Sequence, residues 1–292
     1  MATQEQIQQH SDLIDSILDN FDEFMESSEK TLENKVAKRI LETKTIDELL
    51  ELRVPITEDY RNLVQERVRA YIDDFDALAR DTAEMTGDGI TPVDNRIVAE
   101  LKAQSYARLD ETVKQNKETV NSSIVVGALA GLAVQDIATN TRHAISGLMI
   151  TVDDIEITRL QNRLRKLRNA ADRNEEEIAL ILGRLKNKFA GVNVGTSLSK
   201  KMSAEMHDTV MDFDGVFVKH RARQAGLNKF RYAGSIISES RDFCIRNQGK
   251  TFTEAEARNL WSSESWSGKR SGDPFVVRGG HRCRHFWIPV ED

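Results

Sequence analysis

Two thiols and two imidazoles near the C-terminal end are the residues of this 292-residue chain best suited to do chemistry. Cys244, His281, Cys283 and His285 form the donor set of a tetrahedral zinc site, because thiolates and neutral imidazoles are what zinc prefers. Their spacing is not that of a zinc finger. On an extended strand each residue rises ~3.3 Å, which would set His281 and His285 about 13 Å apart at Cα, near the limit for sharing one ion. A complete site therefore requires a bulge near Gly280, or else it uses Cys244 and Cys283 with one histidine. The same residues allow two other readings. One is a Cys244–Cys283 disulfide, disfavoured where thiols stay reduced. The other is a pair of small buried cysteines with surface histidines and no ligand.

Catalytic arrangements are weaker. Cys244 with His281 has the types of a nucleophile and its base, but nothing nearby supplies an orienting third group or oxyanion donors. His285 with Glu254 and neighbouring arginines has the types of a nuclease site, a combination too common to carry that chemistry. His143, His207 and His220 stand alone on helical stretches and read as structural. The chain has no phosphate loop, dinucleotide fingerprint or paired-histidine zinc helix. It reads as a protein without enzyme activity.

The elements that position these residues are mostly helical. Charged residues make up 30% and aromatics 6%, and only four prolines interrupt the chain, a balance that suits long solvated helices. The expected architecture is mainly α: an acidic helical N-terminal region over 1–90, a helical middle region over 91–226, and a small α+β domain over 227–292. Ile7, Ile14, Leu18, Phe21 and Met25 recur near helical spacing in the first region. Val54-Pro55 predicts a break there, with Thr57 capping a new helix. Tyr60, Leu63, Val64, Val68, Tyr71, Ile72, Phe75 and Leu78 line one side of that helix. Thr91-Pro92 predicts the next helix start, and the Gly- and Ala-rich run 124–134 predicts a close backbone approach. The segment 154–189 carries a heptad-like seam of Ile157, Leu160, Leu164, Leu167, Ala171, Asn174, Ile178, Ile181 and Leu185, followed by Phe189. It predicts an intrachain hairpin turning near Asn174, self-association with another subunit as a coiled coil, or, through Arg159, Arg163, Arg165, Lys166 and Arg168, a basic helix against nucleic acid.

Beyond Gly226 the pattern changes. Phe230–Ile237 predicts a strand, Arg241–Asn247 a short helix, and 250–252 a short strand. Thr253 with Glu256 has the spacing of a capping box. Trp261 and Trp266 anchor a loop, and 281–290 predicts a last strand after the Gly279-Gly280 turn. Charge is divided along the chain: residues 1–50 hold 12 acidic against 5 basic side chains, and residues 219–292 hold 14 basic against 8 acidic. A basic C-terminal part is compatible with DNA contact. The longest apolar run is too short for the ~20 residues that cross a bilayer, and the N-terminus has no export pattern. No membrane partner is expected, and synthesis in the cytoplasm is.

One family shares the order of these C-terminal residues. The runs Tyr232-Ala233-Gly234-Ser235, Ser238-Glu239-Ser240-Arg241-Asp242-Phe243-Cys244 and Asn247-Gln248-Gly249-Lys250-Thr251-Phe252-Thr253 come first. Glu256 follows, and then Gly279-Gly280-His281-Arg282-Cys283-Arg284-His285-Phe286-Trp287-Ile288-Pro289. The whole resembles the C-terminal region of MuF-type phage head morphogenesis proteins, which show an Arg-x-x-Cys element, a following Gly and aromatic, and a terminal His/Cys/Arg cluster ahead of a proline. The resemblance covers about 229–290, a fifth of the chain. Many members have two cysteines around the terminal arginine, whereas this chain has Cys283 and then His285. That exchange keeps metal binding open and makes a fixed disulfide role harder to carry over. The resemblance implies a minor head protein of a bacteriophage virion, partnered by the portal or the major capsid protein, that assists head morphogenesis or genome delivery. Two further readings stand beside it: a head–tail connector or adaptor in multiple symmetric copies, and a DNA-binding or nuclease-like module.

Overall fold

The computed structural model describes residues 2–87, 89–147, 160, 163–164, 166–167, 174–189, 196–237 and 240–291. The protein is mainly helical, with one small three-stranded antiparallel sheet near the C-terminus. The helices are α1 (Gln4–Glu42), α2 (Ile46–Glu51), α3 (Arg53–Tyr60), α4 (Glu66–Asp73), α5 (Phe75–Met85), α6 (Pro92–Leu129), α7 (Val134–Ile145), α8 (Glu175–Phe189) and α9 (Leu198–Gln224). A π-helical stretch, Arg61–Gln65, joins α3 to α4. Then come β1 (Lys229–Gly234), α10 (Asp242–Asn247), β2 (Thr251–Thr253), α11 (Glu254–Ser263), α12 (Pro274–Val277) and β3 (His285–Val290).

Two units are assembled from discontinuous stretches. The first joins Met1–Glu23, Val68–Leu109 and Ser203–Asp292, and the second joins Phe24–Arg67 and Asp110–Met202. The segment 227–292, expected as a small α+β domain, carries the sheet and shares its unit with three helical stretches.

In the second unit, Tyr60 is fully buried and its hydroxyl donates to Asn116 Oδ1 at 2.5 Å. Arg39 clamps Asp59 through two bonds of 2.7 and 3.1 Å. The expected break at Val54-Pro55 does not occur, and α3 runs through it. Pro55 falls in the first turn of that helix, where a backbone N–H has no partner to lose. Thr57 is not a cap; its hydroxyl donates back to Arg53 O at 2.8 Å. The close approach expected in 124–134 is made at Gly127, where a Cβ would stand 2.8 Å from Ile137 Cγ1. Of the heptad-like seam, Leu160, Leu164, Ile178 and Ile181 pack with Val126 in one cluster, and Arg163 pairs with Glu177. Those contacts join the two arms within the chain, as an intrachain hairpin requires. Asn174 accepts from the Glu177 N–H at 3.0 Å and opens α8. Ile157, Ala171 and the side chains of Leu185 and Phe189 lie outside the described residues.

In the first unit, α6 starts as its sequence predicts. Thr91 Oγ1 accepts from the Asp94 N–H at 3.2 Å, and the Asp94 carboxylate accepts from the Thr91 N–H at 2.8 Å. Asp94 is buried beneath α9, where His220 and Arg221 reach its two oxygens at 3.0 and 2.9 Å. The sheet order is β2-β1-β3, with Lys229↔Val290 to Gly234↔His285 as the long register. Thr253 and Glu256 form the expected capping box of α11. The apolar core beside the sheet gathers Phe230, Tyr232, Phe243, Phe275 and Trp287 around Ala222, Ala257 and the two cysteines.

The last strand is shorter than the sequence predicts. It begins at His285, and residues 281–284 form a turn. Asp208 on α9 causes this. One of its oxygens accepts from the Arg282 N–H at 3.0 Å and the other meets His281 Nδ1 at 2.8 Å, so this backbone is bent away from the ladder. Arg282 consequently adopts φ 56°, and the Cys283 N–H turns back to Gly280 O at 3.2 Å.

Candidate metal centre

Three of the four residues singled out for metal ligation come together. The ligand atoms of Cys244, Cys283 and His285 all lie within 4.8 Å of one another, and all three residues are buried. Cys244 is presented by α10, Cys283 by the turn, and His285 by the first position of β3. The Cys244 and Cys283 sulfurs are 3.6 Å apart, and Cys283 Sγ is 3.8 Å from His285 Nδ1. Two donors at ~2.3 Å and ~2.0–2.1 Å from one tetrahedral ion stand about 3.6–3.8 Å apart. The two separations at Cys283 fit that geometry, and the Cys244–His285 pair lies within 4.8 Å. The two thiols do not fit a disulfide, whose sulfurs lie ~2.03–2.05 Å apart, and both cysteines are free.

His281 is not part of the group. Its side chain is 61% exposed and is held by Asp208. It borders the same cavity, of about 490 Å³, as Cys244. The turn at 281–284 removes the extended spacing that set the two histidines against each other, and it brings in Cys283 and His285 together. Glu254, considered beside His285 for nuclease chemistry, is instead engaged by Arg258 and Lys219.

The scaffold around the thiols is tightly specified. Tyr232 on β1 puts its hydroxyl 3.4 Å from Cys244 Sγ and 3.6 Å from Cys283 Sγ, while its ring stacks on the His285 imidazole at 5.2 Å. Arg241 donates to His281 O at 2.7 Å and to Ser267 O at 3.2 Å, tying the start of α10 to the turn. Trp261 and Trp266 donate to the carbonyls of Arg278 and Gly279 at 2.8 and 2.7 Å. Gly279 must be glycine: a Cβ there would stand 2.5 Å from Cys283 Sγ and 2.6 Å from Cys244 Sγ. The Arg278 guanidinium runs inward to Asp214 at 2.8 Å and fixes the turn to α9.

Electrostatics divide the two thiols. The hydrogen bond from Cys244 holds the Cys283 thiol well below the ordinary thiol range against the cost of burial, and His285 helps. The same bond, with burial, pushes Cys244 up. Burial likewise raises the Tyr232 hydroxyl well above its usual value. The depressed Cys283 thiol supplies a thiolate donor, and Cys244 is the thiol that would give up its proton when a divalent ion binds.

Sequence reasoning missed three contributors. Tyr232 lies within the motif with no role of its own, and Gly279 reads only as part of a turn. His207 on α9 was read as structural, yet it lines the same cavity as Cys244, Cys283 and His285. Burial, with Arg284, pushes its imidazole down to about 4, against Asp208 and Cys283, so it is neutral at pH 7. Local sequence holds no signal for it, because Cys283 and Arg284, which help set its surroundings, lie more than seventy residues along the chain.

Part of the basic charge of 219–292 is engaged within the protein. Lys219, Arg221, Arg246, Arg258, Arg270, Arg278 and Arg284 all stand in ion pairs with carboxylates. No helix among the described residues is long and apolar enough to cross a membrane. Compared with protein-family models, curated proteins and solved structures, the chain matches none.

Proposed function

We propose that this protein is a bacteriophage minor head protein. It works at the portal or the major capsid protein, assists head morphogenesis or genome delivery, and resides in the virion after synthesis in the host cytoplasm. One observation supports the reading. Tyr232, Arg241, Cys244, Gly279, Cys283 and His285, which carry the MuF-type resemblance, are spread over more than fifty residues of sequence and meet at one buried place. A likeness of order and spacing without physical basis gives no reason for that convergence. The protein's part is structural, with no catalytic step.

At that place we assign a zinc ion held by Cys244, Cys283 and His285, with the role of fastening α10 to the closing turn and strand. The donor set is two sulfurs and an imidazole, and the separations of Cys283 from the other two suit ~2.0–2.3 Å bonds to one ion.

Two measurements test these assignments separately. Quantitative mass spectrometry of purified proheads and virions should find the protein in both, at low copy. Its absence from both particles removes the head-protein reading. Elemental analysis of the purified full chain should find one zinc per chain, lost in Cys244→Ser. A metal-free protein whose melting is unchanged by that substitution removes the zinc.

A further inference from the structure

Closed structural zinc sites have four protein ligands, and the group described above supplies three. The fourth has to come from the residues bordering the cavity over the thiols. His281, Asp22 and His207 are its remaining imidazole and carboxylate side chains. His281 is solvent-exposed and already bonded to Asp208. Asp22 is only partly buried. His207 differs from both: the residue is 6% exposed, and its Nδ1 is buried with no hydrogen-bond partner among the described residues. Buried polar atoms nearly always find a partner, so an orphan imidazole nitrogen on a residue that lines the thiols' cavity calls for an explanation. His285 Nε2 is a second such orphan in the same place.

We propose that His207 is the fourth ligand, completing a two-sulfur, two-nitrogen zinc site that ties α9 to the turn and β3 of the same unit. The inference rests on the three-ligand zinc reading and goes beyond it. His207 stands outside the three-residue group as it is arranged here, so ligation requires its ring to turn across the cavity toward the sulfurs. The consequence is structural: the ion links α9 to the C-terminal turn as well as fastening that turn to α10. Asp208, the next residue, already holds the turn from the same helix at 2.8 and 3.0 Å, so little backbone movement is asked of α9.

Cobalt(II) substituted into the full-length protein tests this. The wild type should take up one equivalent with the intense visible bands of a tetrahedral thiolate–imidazole site. His207→Gln should bind at least about 100-fold more weakly, since even outer-shell changes cost ~10–100-fold, and its bands should shift and weaken. His281→Ala gives up one of the two bonds to Asp208 but keeps the one from the Arg282 N–H, and it should retain the wild-type spectrum. X-ray absorption of the zinc-loaded wild type gives the ligand count whether or not the variant folds, and should show two sulfurs and two imidazoles. Two sulfurs, one imidazole and an oxygen would overturn His207 as ligand while leaving the three-residue site standing. So would a His207→Gln protein with wild-type affinity and spectrum. If the wild type binds neither cobalt nor zinc, both the site and its fourth ligand are lost.

Discussion

Replacing His10 with glutamine should abolish most of the pH dependence of stability between about pH 6.5 and pH 9. His10, on α1, is fully buried, with Nδ1 2.5 Å from Asp81 and Nε2 3.0 Å from Asp214. Its ring meets Phe286 of β3 edge-on at 4.9 Å, and Arg278 holds the other oxygen of Asp214. Burial alone pulls an imidazole down. Here the carboxylates of Asp214 and Asp81 more than reverse it and raise His10 from 6.5 to about 9. At ~1.4 kcal/mol per pK unit that is about 3 kcal/mol of folding free energy. The folded value lies above the unfolded one, so the stabilisation is fully present below about pH 6.5 and is lost as the pH rises through about 9.

Urea unfolding of the full chain, followed by circular dichroism at about pH 6 and about pH 9.5, measures it. The wild type should lose about 3 kcal/mol more than His10→Gln over that interval. Thiols and tyrosines that titrate in the same range are common to both proteins and cancel in the difference. Equal losses in the two proteins would refute the argument that a charged His10 joins α1, α5 and α9.

Asp94→Asn should cost about 1–3 kcal/mol near neutrality, because it strips the charge-assisted bonds from His220 and Arg221 in a buried place. Although burial raises its carboxyl, the bonds from Thr91, Arg221 and His220 hold it below the usual range. The gap between wild type and variant should therefore be present above about pH 4 and close as the pH falls below it; acid unfolding curves that stay parallel would contradict this. Gly279→Ala should destabilise by about 1–3 kcal/mol through overpacking and weaken metal uptake, since the new methyl must displace both sulfurs. Unchanged melting and metal content would show that the turn yields more easily than the distances imply.

Much of this fold was legible because its signals are local. Thr91-Pro92 with Asp94, and Thr253 with Glu256, are caps whose donors and acceptors lie within three residues, and both form as read. Ile7, Ile14, Leu18, Phe21 and Met25 announce the buried side of α1, and all five are buried. What sequence did not yield depends on partners far along the chain. Asp208 bends residues 281–284 out of the strand from more than seventy residues upstream. His207 and His10 acquire their settings the same way, from helices whose packing no local pattern encodes. Pro55 misled for a related reason: the rule that proline breaks a helix holds for interiors, and the end of α2 leaves it in a first turn.

The same dependence on distant partners decides how much a metal at the proposed site would contribute. A unit of some 60 residues standing alone is near the lower limit of independent stability, and a staple would then be obligatory. Here the α+β part does not stand alone. Ala222 of α9 belongs to its core, Arg278 is anchored on Asp214, and Arg284 on Asp15 and Asp19. Phe230, Tyr232, Phe243, Phe275 and Trp287 are each at most 2% exposed. Aromatic side chains bury ~150–250 Å² each, so at ~25 cal/mol per Å² the five contribute roughly 20 kcal/mol or more before chain entropy is charged. Chelation should therefore lower the melting temperature while leaving the near-ultraviolet signal of Trp261, Trp266 and Trp287 intact at 25 °C. Loss of that signal on chelation, with the helical signal retained, would mean that the ion and not the aromatic core holds the C-terminal sheet together.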